Sequence, residues 1–153
     1  MALTTLNTAP IFSGTPRVSI VTITQTSTNV NSQTAGTIGT NSFLAFTPGA
    51  NGSYIQKIRF QYTSTTNTVS SAATVFKVYV STVNTGSPTP SQVNLIADIQ
   101  APAQTVANTA TSAYPIEVPL NFALPTGYFI LVGQTVAATA NSAWVATVFG
   151  GDY

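Results

Sequence analysis

The sequence predicts an all-β protein built as an antiparallel sandwich of two sheets. Thr, Val, Ile, Tyr and Phe dominate the chain, and Gly, Pro, Asn and Ser occupy the breaks between them, a composition typical of strands and turns. Apolar and polar residues alternate with a period of two in one segment after another, whereas no window of ten residues has a convincing helical period. With 153 residues, the chain has the length of one domain.

The N-terminal segment, 1–15, is predicted to be an extended arm that precedes a single β-sandwich domain, 16–153. Its apolar residues lie among Thr, Asn and Pro, and prolines at positions 10 and 16 prevent a helix. Such a segment often becomes ordered only on a neighbouring molecule, so we expect its removal to weaken partner binding more than stability. The predicted partner-binding residues of the arm are Leu3, Leu6, Ile11 and Phe12.

The first three strands are predicted at 17–26, 42–47 and 53–63. A loop rich in Asn, Ser and Gly, 27–41, separates the first two, and the sequence PGANG at 48–52 is a strong turn signal. The third strand shows the cleanest alternation, which predicts one face in the core and one at the surface. The predicted core face comprises Tyr54, Gln56, Ile58, Phe60 and Tyr62.

Two further strands are predicted at 73–83 and 92–100, after a polar loop at 64–72. The segment 101–112 is predicted to be a loop or a short helix. In the first of these strands Phe76, Val78 and Val80 face one way, and Lys77 and Tyr79 face the other. In the second, Val93, Leu95, Ala97 and Ile99 are expected to point inward and Asp98 outward.

The last three strands are predicted at 113–122, 128–136 and 142–149. Pro115 and Pro119 share one face of the first, and because each lacks a backbone donor, we predict an edge strand. Eight strands in two sheets is the strand count of a jelly roll. An immunoglobulin-like sandwich is the alternative, although its Cys-Trp-Cys signature is absent.

The last two predicted strands are apolar on both faces, whereas one face of a sandwich strand normally meets water. Either the arm or the long loop covers the second face, or it forms an interface between subunits of a homo-oligomer. The predicted interface residues are Phe129, Leu131, Trp144, Phe149 and Tyr153.

Reactive side chains are scarce, because the chain has no His, no Cys and three acidic residues, Asp98, Glu117 and Asp152. Enzymes mostly rely on His, Cys or tuned carboxylates, so we predict that the protein is not an enzyme and has neither a cofactor nor a metal site. A glycosidase pair of Asp98 and Glu117 is a minor alternative. We expect these two acids instead to pair with Lys57, Arg59 or Lys77.

Charge and hydropathy narrow the possible partners. Charged residues make up 5% of the chain and the net charge is +1, which is too little basic charge for phosphate recognition. No apolar run reaches the length of a membrane-spanning helix. A surface with so little charge is poorly protected against self-association, so we predict that much of it is committed to protein partners.

Three segments, 43–60, 124–132 and 148–153, resemble those of small virion-associated proteins of tailed bacteriophages. The resemblance extends from about residue 35 to the end of the chain. It implies a capsid decoration or cement protein, often a β-rich homotrimer that clamps adjacent capsomers. It also implies that the major capsid protein is the partner and that the protein joins the virion after synthesis in the host cytoplasm. The family has no catalytic motif that could be transferred to this chain.

Two other function classes are compatible with the sequence. One is a receptor- or glycan-binding module of a phage tail fibre or tail tip, in which sugar rings stack on exposed aromatic side chains. The other is a secreted structural domain, such as a pilus or biofilm subunit, for which no export signal is visible. The candidate sugar-stacking residues are Trp144, Tyr79, Tyr114 and Tyr153.

Overall fold

The structure, a computed structural model, describes residues 14–24, 30–66, 68–107 and 112–153. In these ranges the chain forms β-strands and no helix, which confirms the predicted all-β class. The strands are β1 (Thr15–Ile23), β2 (Ser42–Phe46), β3 (Ser53–Ser64), β4 (Thr68–Ser70), β5 (Thr74–Ser81), β6 (Val93–Ala101), β7 (Thr105–Ala107), β8 (Ile116–Leu124), β9 (Phe129–Gln134) and β10 (Ser142–Asp152).

The strands form two four-stranded antiparallel sheets and one small pair. Sheet A has the order β1-β10-β3-β8, sheet B has the order β2-β9-β5-β6, and β4 pairs with β7. The first strand thus pairs with the last, the second with the last but one, and so on to β5 with β6. This is one long hairpin that rolls up until β10 also pairs with β3, and β9 with β5. The result is the predicted jelly roll.

Strands β4 and β7 were not predicted, since they lie in the segments predicted as a loop at 64–72 and a linker at 101–112. Each has three residues, which is too short for a visible alternation. They pair with each other where the long hairpin passes from sheet A to sheet B. The rolled hairpin therefore continues through both connections.

The space between the sheets is filled by a large apolar core. At its centre the rings of Phe60 and Phe76 stack with their centroids 4.2 Å apart. The Trp144 ring lies 4.9 Å from that of Phe76 and 5.2 Å from that of Tyr62. Such aromatic groups bury more area than any other side chains and so stabilise a core strongly.

Of the predicted core face of β3, Ile58, Phe60 and Tyr62 are buried as predicted. The prediction is wrong for Tyr54, which is half-buried, and for Gln56, which is exposed. The register shifts at this point with both neighbours, which leaves Gln56 without a cross-strand partner. An extra residue in a strand moves the following side chains to the opposite face. Ile55 is therefore the buried residue at this end of the strand.

Glycine at position 150 permits this shift on the neighbouring strand. A Cβ atom there would collide with the carbonyl oxygen of Tyr54. The shift lies between Phe149 and Gly150 in β10, so the close approach of the two backbones requires a residue without a side chain.

A similar shift divides β6. Val78 pairs with Ala97 and Tyr79 pairs with Leu95, which leaves Ile96 as the extra residue. Ala97 and Ile99 therefore pack against the main core as predicted. Val93 and Leu95 do not, because they pack with a second cluster on the outer face of sheet B.

The predicted edge strand is confirmed, since β8 ends sheet A on one side. Pro119 lies opposite Lys57 of β3 in this strand. A proline is tolerated where no further strand needs its missing N–H group.

Candidate interaction surface

The outer face of sheet B is covered around Tyr79 and Leu131 by the segment 30–41, which we call the cover loop. Its residues Val30 and Ala35 are buried, as are Tyr79 and Leu131 on the face beneath. The Tyr79 hydroxyl donates hydrogen bonds to the carbonyl oxygens of Asn31, at 2.6 Å, and Thr34, at 3.1 Å. The apolar outer face of β9 is thus sealed within the subunit.

Gly133 of β9 lets the cover loop approach closely. A Cβ atom at this position would lie 2.8 Å from the Cγ1 atom of Val30 and 3.2 Å from the carbonyl oxygen of Asn41. The Asn41 side chain in turn accepts a hydrogen bond from the Thr37 amide at 2.9 Å. The absence of a side chain at Gly133 and the hydrogen bond within the loop therefore both position the cover loop.

Burial under the cover loop, and secondarily the charge of Asp98, raises the pKa of the Tyr79 hydroxyl well above its usual range. The phenol therefore stays protonated and remains a hydrogen-bond donor to the loop at any physiological pH. This group stabilises the structure and is not available as an acid or base at neutral pH.

The outer face of sheet A has a different character. Val18 and Ile20 of β1 are 59% and 68% exposed. On the adjacent β10, Phe149 lies opposite Val18, and Val145 lies two residues before Thr147, the partner of Ile20. We call these four residues, the exposed Val18 and Ile20 and the half-buried Val145 and Phe149, the bare stripe.

Charged groups border the bare stripe along β3 and β8. The Nζ atom of Lys57 lies 5.3 Å from the centre of the Phe149 ring, a cation–π distance. The same nitrogen lies 2.9 Å from a carboxylate oxygen of Glu117, and Arg59 lies opposite Glu117 in the register. The face therefore has an apolar side at β1 and a charged border at β8.

A hydrogen-bonded network at the end of β1 fixes the C-terminal end of β10. The Arg17 guanidinium lies 3.0 Å from both carboxylate oxygens of Asp152 and also donates to the Thr47 carbonyl oxygen. Asp152 further accepts hydrogen bonds from the Ser53 hydroxyl and the Gly49 amide. The network thus ties β1, the 48–52 turn and β10 together.

The pKa of the Asp152 carboxyl is lowered in this network. Burial alone would raise it, but the hydrogen bonds from Ser53 and Arg17, the positive charge of Arg17 and the Gly49 amide together outweigh burial. The carboxylate is therefore ionised in the folded protein at neutral pH and below. It is a structural group with its acceptor sites already occupied.

The predicted salt bridges are confirmed for Asp98, with Lys77 at 3.0 Å, and for Glu117, with Lys57 at 2.9 Å. Asp98 and Glu117 do not form a pair. Lys77 alternates with core residues of sheet B, so Asp98 lies on that sheet's outer face, and Glu117 lies on the outer face of sheet A. Packed sheets are about 10 Å apart, and the two carboxylates lie on opposite outer faces, so both sheets separate them and they cannot act as a glycosidase pair.

In the described part of the chain, no group of three or more acidic, His or Cys residues is placed to hold a metal ion. The same ranges contain no helix long and apolar enough to cross a membrane.

The structure corrects two of the predicted interface residues. Leu131 and Trp144 are 0% and 1% exposed, because Leu131 lies under the cover loop and Trp144 lies in the core. Phe129 is half-buried, and Tyr153 is 37% exposed. Phe149 alone among the five belongs to the bare stripe. The arm residues Leu3, Leu6, Ile11 and Phe12 lie outside the described residues.

Sequence reasoning missed Val18 and Ile20. The segment VSIVTI at 18–23 is apolar at both odd and even positions, the same signal that singled out β9 and β10. Applied to β1, it would have pointed to a strand with an apolar outer face.

Sugar stacking on Trp144 or Tyr79 does not fit the structure, because both rings are buried. A groove of about 430 Å³ at one end of sheet A is rich in hydroxyl groups. Most of them already bond to the chain itself, since Thr63 donates to Ala143, Thr65 to Asn141 and Ser142 to Thr139. The groove therefore offers few free donors to a glycan.

Comparison with known proteins assigns this chain to no family, because no family model and no curated protein matches it. Among solved structures, it is similar to the infectious bursal disease virus VP2 subviral particle, with 14% identity over 98% of this chain and 45% of that chain, and a TM-score of 0.18. The Gx strain of the same virus gives 13% identity over 99% and 47%, with the same TM-score.

The chain spans less than half the length of these two viral chains. A TM-score of 0.18 carries no argument about function. The class of this protein is therefore defined by the geometry of this chain alone. That class is a jelly-roll β-sandwich with one outer face covered around Tyr79 and Leu131 by its own loop and the other bearing an apolar stripe in which Val18 and Ile20 are exposed.

Proposed function

We propose that this chain is a structural virion protein, a decoration or cement protein that binds the head of a tailed phage through the outer face of sheet A. The observation that carries the proposal is the bare stripe on sheet A, in contrast to the outer face of β5 and β9 on sheet B, where Tyr79 and Leu131 are buried under the cover loop. Jelly rolls occur in both capsid and lectin domains, and a fold alone does not decide function. The apolar stripe on the outer face of sheet A, and not the fold, is therefore what supports a binding function.

The composition of this face suits a protein partner. Protein interfaces commonly have an apolar centre and a polar border, and here the bare stripe lies beside Lys57, Arg59 and Glu117. Fully burying a Val, Ile or Phe side chain contributes about 1.5–3 kcal/mol. A few such residues per copy become a strong attachment when an oligomer of this chain engages several equivalent sites of a capsid lattice at once.

The proposed partner is the major capsid protein of the head. The rest of the surface is rich in Thr, Ser and Asn, whose neutral hydrogen bonds are weakly screened by salt. Attachment is therefore expected to survive molar NaCl. Release by moderate salt would show that ion pairs, and not the apolar stripe, hold the protein on its partner.

A binding experiment with undecorated phage heads tests this function. Purified protein is mixed with heads, and the bound amount is measured by co-sedimentation and located by electron microscopy. Val145→Lys, at the end of the stripe opposite Thr22, is expected to reduce binding about tenfold or more. Asn94→Lys, at an exposed position of the outer edge strand of sheet B, is the matched control and is expected to bind normally.

Binding to heads that is insensitive to Val145→Lys would contradict the proposed surface. Attachment to tails in place of heads would contradict the decoration function and support a receptor-binding module.

A further inference from the structure

Strand β1 is a sheet edge whose residues 18–23 contain no proline and no charge, although Pro16 and Arg17 lie at its beginning, in the part of the chain that the structure describes. It has nine residues and pairs on one side only, with β10. Half of its backbone N–H and C=O groups therefore face outward and can pair with another strand. Exposed edges of this kind are normally blocked by proline, charge, a bulge or short length.

The other three edges of the two four-stranded sheets carry such protection. Strand β8 has Pro119 and Glu117. Strand β6 has the shifted residue Ile96 and the charged Asp98. Strand β2 has five residues, and Ile38 of the cover loop forms a bridge beside its first residue. The contrast lies in residues 18–23 of β1, which have neither proline, charge nor a register shift, and it marks them as the edge segment that is free to accept a partner strand.

Charge favours a second copy of this chain as that partner. Arg17 is the one charged residue of β1, and Asp152 neutralises it within the subunit at 3.0 Å. The following residues, 18–23, carry no charge. Two copies of β1 can therefore approach each other without repulsion between like charges.

We propose that β1 pairs antiparallel with β1 of a second copy about a two-fold axis at Ser19. Ser19 is the middle residue of β1, so complete overlap of the two strands places the axis there. In this register Val18 lies directly opposite Ile20 of the partner subunit. Opposed residues of an antiparallel pair point to the same face, so the two most exposed apolar side chains of the strand contact each other side by side, and their outward surface stays open.

The pairing makes one sheet of eight strands from two copies of the four-stranded sheet A. The contact is self-complementary, as a two-fold interface requires. It also joins two bare stripes into one wider apolar surface and leaves that surface open to a capsid. The pairing does not require the capsid, and it differs from the homotrimer that the family resemblance implies.

A charge-swap experiment on the full chain tests the pairing. Sedimentation velocity is expected to show two copies per particle for the unmodified protein. The variant V18K/I20K brings like charges together across the axis, and the same holds for V18E/I20E. Each is expected to dissociate about a hundredfold more readily, and an equimolar mixture of the two is expected to recover two-copy particles, because Lys then lies opposite Glu.

Ala123→Lys on the protected edge β8 is the matched control and is expected to leave the particle mass unchanged. Thermal unfolding of each variant verifies that the monomer is folded. A single copy at every concentration, three copies, or failure of the mixture to recover pairs would overturn the inference. None of these results bears on head binding, which the Val145→Lys experiment measures separately.

Discussion

The two outer faces of this sandwich each include a strand that is apolar on both sides, but the two faces differ in how far they are buried. Both β9 and β10 are apolar on both sides. On sheet B the second side is sealed by the cover loop, with Leu131 and Tyr79 fully buried. On sheet A the corresponding side remains open, with Val18 and Ile20 more than half exposed. A strand that is apolar on both faces therefore indicates that its outer face is buried or can become buried. The pattern does not tell whether a loop of the same chain or a partner buries it.

Replacing Leu131 with Ala is expected to have the largest effect on stability. The residue is buried between β9 and the cover loop, so its truncation should cost about 2–5 kcal/mol. Urea denaturation gives the free energy of unfolding. Val145→Ala on the bare stripe is the matched control, with an expected loss below about 1 kcal/mol. Equal losses would show that the two faces are equally covered.

Replacing Asp152 with Ala is expected to cost about 1–3 kcal/mol, because the groups that it binds lose a charged acceptor. Glu117→Ala removes a more exposed ion pair and is expected to change stability by less than about 0.5 kcal/mol. A similar loss for both variants would show that the network at the end of β1 has no special role.

The pH dependence of unfolding tests the same network. Because the folded pKa of Asp152 is lowered, its contribution is present above the unfolded value of about 3.9. It is lost as the pH falls through the folded pKa. Asp152→Asn is therefore expected to lose less stability on acidification than the unmodified protein. Parallel pH profiles for the two proteins would contradict the assignment.

Replacing Tyr79 with Phe removes the hydroxyl that holds the cover loop through Asn31 and Thr34. The expected loss is about 0.5–1.5 kcal/mol. Hydrogen exchange should accelerate in 30–41 and remain unchanged in β1. Unchanged exchange in the loop would mean that apolar contacts alone hold the cover in place.

Replacing Ile20 with Ser is expected to have the smallest effect on stability, within about 0.5 kcal/mol, because the side chain is 68% exposed. Its effect on association should be much larger than its effect on unfolding. A large loss of stability would show that Ile20 already has a partner within the subunit, which would close the bare face.

Much of the fold could be predicted from alternation and turn signals. The eight long strands, the edge position of β8 and the salt bridges of Asp98 and Glu117 agree with the structure. The exceptions have local causes. Gln56 and Ile96 are extra residues at register shifts, and neither can be recognised from a period of two. Three-residue strands such as β4 have no detectable period.

The candidate surface was harder to predict, because alternation reports which residues are apolar and not which neighbours cover them. Leu131 and Phe149 look alike in sequence, yet only the first lies beneath the cover loop. That difference depends on where the loop 30–41 folds back, which Gly133 and the Tyr79 hydroxyl determine at long sequence separation. Such contacts have no local signature.

Hydroxyl-radical footprinting of the protein on phage heads tests the central claim most directly. Binding is expected to protect Val18, Ile20 and Phe149 on sheet A and to leave the reactivity of the cover loop unchanged. Protection of the cover loop with an unprotected β1 and β10, or no binding to heads at all, would contradict it.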